Sequence, residues 1–176
     1  MSRVSLPIVP RRVISDVLTP EIEAAQRELV VAEALSWVGT PYRQMAATKG
    51  TGIDCAMLLS EVWIRAGIVE PFDPRPYNPE WYIHRSEELY LRWMETVAVE
   101  ITTPPRPGDV VLFHFGRCFS HAGILVNEEQ LVHSWVLEHQ CTISELRNPA
   151  LSLMGRGVPR PRPMKFFDVW QRLRAT

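Results

Sequence analysis

Cys55 directly follows Asp54, just beyond a glycine-rich run, Lys49-Gly50-Thr51-Gly52. An aspartate so placed caps a helix, which puts the cysteine in the first turn, where backbone N–H groups and the dipole favour a thiolate. The same N–H groups can receive an oxyanion. A lone cysteine at a helix start is more commonly a small buried residue, so its companions decide. They are His121, in Phe119-Ser120-His121-Ala122-Gly123-Ile124, and His133, in Leu131-Val132-His133-Ser134. A hairpin centred near residue 127 or 128, within Asn127-Glu128-Glu129, sets the two imidazoles roughly opposite one another. A thiol, a histidine base and a polar group that orients the base are the parts needed for covalent acyl transfer.

Other clusters carry less. His133, His139 and Cys141 lie close in sequence, but their spacing matches no common zinc pattern, and the reading calls for no metal or other cofactor. His84 and His114 read as surface or structural, and Cys118 and Cys141 as bystander thiols. Arg156, Arg160 and Arg162 could meet an acidic partner, although solvated charge is the plainer account.

Positioning the thiol against the histidines requires helices on one side and strands on the other. The first helix runs from about Pro20 to Val38, with Thr19 as its N-cap, Glu21 and Glu23 at its positive end and Gly39 beyond it. Its apolar stripe is Ile22, Ala25, Leu29, Ala32 and Ser36, flanked by Val30, Ala34 and Trp37. A second helix runs from Cys55 to about Ala66, burying Leu58, Leu59, Val62 and Ala66, and stops at Gly67. Asn78-Pro79-Glu80 starts a third, with Tyr82, Ser86, Leu89 and Trp93 on its face. From Val110 the period becomes that of strands: Val110–Phe113, Ala122–Val126, Leu131–Trp135 and Cys141–Ile143, joined by tight turns as in an antiparallel meander. A basic, proline-broken stretch, Arg156 to Pro163, precedes a last apolar segment, Phe166–Trp170. Helices followed by strands predict an α+β fold.

Composition sets the outer limits. A chain of 176 residues, 46% apolar and 22% charged, fits one domain over 1–176, with 1–12 as a flexible arm. A formal charge of -1, with 17 Arg and 2 Lys scattered through the chain, argues against a nucleic-acid binder. Three cysteines without paired spacing read as free thiols. The start has no continuous apolar core and carries Pro7 and Pro10, unlike a secretory signal. No apolar run approaches the ~20 residues of a membrane span. The expectation is cytoplasmic synthesis without membrane insertion.

Five segments together resemble the NlpC family of papain-like cell-wall cysteine peptidases, and within it the phage branch. They are Gly39-Thr40-Pro41-Tyr42-Arg43, Gly52-Ile53-Asp54-Cys55, Arg106-Pro107-Gly108-Asp109-Val110-Val111-Leu112-Phe113, Ser120-His121-Ala122-Gly123-Ile124 and Leu131-Val132-His133-Ser134. The resemblance covers residues from about 30 to 136 in the family's order. It implies a papain-like fold, helices packed on an antiparallel sheet, with Cys55 as nucleophile, His121 as base and acid, and His133 as the orienting third member. It further implies that Tyr42 and Asp54 help recognise a free peptide amine. The implied substrate is a peptidoglycan stem peptide cut after D-glutamate, with phage tail proteins as partners and action in the cell wall or periplasm. One departure stands out: the family commonly places Ser-Gly after Asp-Cys, where this chain has Ala56-Met57.

Overall fold

The computed structural model describes residues 18–75, 77, 88–155 and 158–174. Helix α1 (Pro20–Leu35) begins where Thr19 Oγ1 accepts the Ile22 N–H at 3.3 Å, with Pro20 in the first turn. Regular helix stops three residues short of the expected Val38, and turns carry the chain on to Gly39. The expected apolar stripe of α1 is not its inner face. Leu29 is 55% exposed, whereas Glu23, Gln26, Arg27, Val30 and Ala34 are buried, followed by Trp37.

A buried ion-pair network is what rotates the helix. Arg27 Nε lies 2.8 Å from Glu23, its Nη1 2.7 Å from Asp109 and 2.9 Å from the Pro107 carbonyl, and its Nη2 3.2 Å from Asp168. Arg106 and Arg174 also pair with Glu23. The Arg27 guanidinium stacks 4.1 Å from the Trp170 ring, and Trp170 Nε1 donates to Gln26. These contacts compensate the charges that face inward, although Arg27 Nη2 meets Asp168 as an ion pair without a hydrogen bond. A hydrophobic-period reading cannot see them.

Two short strands, β1 (Ala47–Thr48) and β2 (Gly52–Ile53), pair ahead of α2 (Cys55–Arg65). Helix α2 is buried nearly all round through Met57, Leu58, Leu59, Ser60, Val62 and Trp63, and its end passes into Gly67 at φ +71°. The expected third-helix start at Asn78 lies outside the described residues; the helix seen there is α3 (Leu89–Val97), which buries Tyr90, Trp93, Met94 and Val97.

The sheet has six antiparallel strands: β3 (Val99–Ile101), β4 (Val110–Phe115), β5 (Cys118–Leu125), β6 (Gln130–Trp135), β7 (Gln140–Glu145) and β10 (Met164–Asp168). Their order is β3-β10-β4-β5-β6-β7, so the expected meander is there, and the last apolar segment inserts beside its first strand. A separate hairpin, β8 (Ser152–Gly155) with β9 (Val158–Pro161), occupies the stretch read as proline-broken. The chain closes with α4 (Val169–Arg174). Alternation divides the sheet. Val110, Leu112, Ala122, Ile124, Val132 and Cys141 pack under the helices, while Val111, Phe113, Leu125, Leu131 and Trp135 form a second cluster on the other face. This is α+β, with strands both before α2 and beyond the meander.

Candidate active site

The Asp54 carboxylate builds the start of α2. It accepts the Ala56 and Met57 N–H groups at 3.1 and 2.9 Å, as an N-cap should, and also the Met45 N–H at 2.6 Å. The Tyr77 hydroxyl donates to it at 2.6–2.8 Å. Asp54 is 3% exposed, and these donors use its acceptor sites within the chain. It thus braces the loop over the helix start, holding Met45 at a φ of 55°, a left-handed conformation that a methionine adopts only under such constraint. Burial and the adjacent Asp54 charge raise the Tyr77 hydroxyl, keeping it a donor.

This bracing bears on two expectations. The Ala56 and Met57 N–H groups already bond Asp54, which leaves the N–H of Cys55 as the first-turn donor for an oxyanion. The helix start does not lower the thiol. Burial, and then the Asp54 charge, push Cys55 up to about 12, against smaller opposing hydrogen bonds from the Ala122 backbone, the Tyr90 hydroxyl and its own backbone. An internal anion has neutralised the dipole at the place where a thiolate would use it. Cys55 is nonetheless the partly exposed cysteine; Cys118 and Cys141 are buried.

His121 and His133 meet directly, Nε2 of the first 2.7 Å from Nδ1 of the second. Ile124 pairs with Val132 and Leu125 with Leu131, which centres the hairpin on residue 128, within the expected range, and sets the histidines two residues off direct opposition. A two-residue offset keeps both on one face, and contact survives. Gly123 leaves the room: a Cβ there would come within 2.4 Å of Leu131 Cδ1, 2.9 Å of the Val132 oxygen and 3.1 Å of His133 Cβ. Beyond His133, Nε2 lies 2.9 Å from Ser144 Oγ on β7. Phe113, Phe115 and Trp135 surround His121 with ring centroids 5.7–6.0 Å away.

Burial pushes His121 well below the ordinary imidazole value, with His133 adding to it, and brings His133 down to about 4. Both rings are therefore neutral near pH 7. Neutrality fixes a directional choice. If His121 Nε2–H donates to His133 Nδ1, then His133 Nε2–H donates to Ser144 and His121 Nδ1 keeps a lone pair for a proton. The reverse chain leaves His121 with no basic nitrogen. A serine hydroxyl can accept or donate, and the first chain is the one in which Ser144 accepts. Sequence reading missed it; its signal was alternation, a hydroxyl on β7 two residues past Thr142, the partner of His133.

The Cys55 thiol bonds the backbone of Ala122, the residue next to His121. Among the described residues no hydrogen bond joins the thiol to either imidazole. Such contacts often tighten only when substrate binds. Tyr42 is half-buried in the loop ahead of β1, where its N–H donates to the His139 carbonyl at 2.8 Å and its backbone bridges to Ile53. His133 and Cys141 lie on opposite faces of the sheet, which separates two members of the weighed metal set. No group of three or more His, Cys, Asp or Glu able to hold a metal ion occurs among the described residues.

A cysteine at the start of a buried helix, packed on an antiparallel sheet that carries paired histidines, is the architecture of the papain-like cysteine peptidase class. The NlpC/P60 family model matches residues 39–154, about two thirds of the chain, and the chain belongs to that family. Among solved structures it is similar to the NlpC/p60 domain of the peptidoglycan hydrolase SagA, at 16% identity and TM-score 0.52, covering 79% of this chain and 96% of that one. It is similar also to the peptidoglycan hydrolase RipB of Mycobacterium tuberculosis, at 14% identity and TM-score 0.54, covering 86% of this chain and 68% of that one. NlpC2 of Trichomonas vaginalis matches at 16% identity and TM-score 0.56, covering 82% of this chain but 47% of its own. At these identities the likeness is one of fold. No curated protein matches the chain.

Proposed function

We propose that the protein is a cysteine peptidase that hydrolyses an amide bond of peptidoglycan stem peptides, after D-glutamate, through a thioester acyl-enzyme. The observation that carries the reading is the 2.7 Å His121–His133 pair, with His121 on the strand whose Ala122 backbone bonds the partly exposed Cys55 at its capped helix start, in a chain of the NlpC/P60 family. Its similarity to SagA and RipB, both described as peptidoglycan hydrolases, supports the substrate class.

With Cys55 and His121 both neutral, attack and proton transfer are coupled. His121 Nδ1 takes the thiol proton as Sγ bonds the scissile carbonyl carbon, and His133 steadies the imidazolium that forms. Collapse of the tetrahedral intermediate breaks the C–N bond, and His121 returns the proton to the leaving amine. Water, deprotonated by His121, then attacks the thioester; the products are a carboxylic acid and the restored thiol. Tyr42 lies on the loop beside the helix start and is assigned to the substrate's free amine. Asp54 acts through Tyr77 and Met45 rather than on substrate directly. The resemblance to the family's phage branch extends the proposal to a phage- or prophage-encoded enzyme of the tail or of lysis, acting in the cell wall or periplasm.

One observation favours a second reading, a catalytically weak tail component of the same fold: the thiol is raised to about 12 and bonds backbone rather than imidazole. Digestion of purified stem peptides, followed by mass spectrometry, separates the two. Release of a fragment ending in D-glutamate, lost in Cys55→Ala and in His121→Ala, is expected of the enzyme. Intact peptide with the parent protein refutes it.

A further inference from the structure

Arg162 is not the solvated charge its sequence context suggests. It lies just ahead of β10, outside the segment matched by the family model, and is half-buried. Its guanidinium carbon sits 3.9 Å from the centroid of the Phe115 ring. Phe115 in turn meets the His121 ring edge-on at 5.7 Å and Trp135 at 6.4 Å. Phe115 ends β4, His121 is near the start of β5 and Trp135 ends β6, so Arg162 stands at the end of the sheet that carries the histidine pair.

Its hydrogen bonding is incomplete. Nη1 makes one long contact, 3.4 Å, to the His114 carbonyl, and the buried Nε has no partner. Arg27, Arg65, Arg75, Arg106 and Arg174 each have a carboxylate within reach, and among the described residues Arg162 has none. Burial disfavours its charge, and among the described residues no carboxylate offsets it. A stacked guanidinium keeps its plane and its forked donors aligned, which suits a carboxylate. An unanswered guanidinium one aromatic ring away from His121 is therefore a place where a ligand supplies the missing acceptor.

We propose that Arg162 is a specificity residue that binds a carboxylate of the substrate, so that the protein selects acidic stem peptides over their amidated counterparts. This rests on the peptidase reading for its substrate class. The ring-to-ring path from Arg162 through Phe115 to His121 places the bound carboxylate to one side of the scissile bond, on a neighbouring residue of the peptide. Phe115 serves as the platform, and the charge supplies discrimination.

The test measures binding apart from turnover. Cys55→Ala protein is titrated by calorimetry with two synthetic stem peptides that differ only in a free carboxylate or its primary amide next to the D-glutamyl bond. Preference for the acid of about tenfold is expected, the worth of one charge-assisted hydrogen bond at a half-exposed site. Adding Arg162→Gln should abolish the preference while leaving binding of the amide unchanged, and Arg162→Lys should retain part of it. Thermal melts of each variant establish that it is folded. Equal binding of acid and amide, persistence of the preference in folded Arg162→Gln, or no binding of either peptide overturns the proposal. Cleavage by the parent protein is read separately, so a peptide that binds with Arg162-dependent preference but is never cut removes the peptidase reading alone.

Discussion

Lowering the pH from 7 to 4 should unfold this protein through its buried histidines more than through its carboxylates. His133 is fully buried, and burial takes its imidazole from the ordinary 6.5 to about 4. Between those values the unfolded chain binds a proton that the folded chain refuses. Stability contributed by the neutral ring is thus fully present above 6.5 and is lost as pH falls through the window. At ~1.4 kcal/mol per pH unit, the gap from 6.5 to about 4 amounts to on the order of 3 kcal/mol, a large part of a typical domain's stability. His121 is shifted in the same direction, by burial and by His133, and adds to the loss. Asp109 opposes it, because burial raises its carboxyl and so favours the protonated folded state at low pH. The assay is urea unfolding at half-unit steps from pH 7.5 to 4.5 for the parent and for His133→Asn, which keeps polar contacts but cannot titrate. The parent's midpoint should fall steeply below pH 6.5 and the variant's should fall less. Parallel curves for the two proteins would refute the claim that buried neutral imidazole governs acid stability.

Iodoacetamide should modify Cys55 before Cys118 or Cys141, because it is the partly exposed thiol; peptide mapping over pH 6–10 should show its rate still climbing at pH 9, since the thiol is raised to about 12. A plateau below pH 7 would mean the thiolate is stabilised after all. Ser144→Ala should lower kcat by about three- to tenfold with KM unchanged, the effect of losing one hydrogen bond at ~0.5–1.5 kcal/mol, and nitrogen NMR should show His133 shifting toward its Nδ1–H form. An unchanged tautomer would remove Ser144 from the chain of bonds. Gly123→Ala should cost ~1–3 kcal/mol by overpacking and should displace His133, since the new Cβ falls 2.9 Å from the Val132 carbonyl oxygen; a melting point and activity equal to the parent's would contradict the close approach. Arg27→Met should destabilise the fold by ~3–5 kcal/mol, because it leaves Asp109 and Asp168 buried with fewer partners, as read by chemical denaturation.

Much of this molecule follows from local chemistry in the chain. The Asp54 cap, the helix that starts at Cys55, the turn at Asn127–Glu129 and the apolar strand runs are each set by residues within a few positions of one another, so a linear reading reaches them. Cys55, His121 and His133 stand out as candidates by residue type and resemblance; the fold brings the two histidines into contact and sets the thiol on the backbone of Ala122. What the chain alone could not show depends on groups distant in sequence. The inner face of α1 is fixed by Arg27 meeting Asp109 and Asp168, residues more than eighty positions away, and those bonds override the apolar stripe. The hairpin's offset, and with it the diagonal contact of the two histidines, comes from pairing between Ile124 and Val132 that no turn residue announces. The thiol's acidity was likewise decided in three dimensions: a helix start favours a thiolate in isolation, but here the capping carboxylate is itself charged, and the fold closes over both. Short-range hydrogen bonding is written in neighbouring residues, whereas desolvation and ion pairing depend on which distant groups the fold brings together.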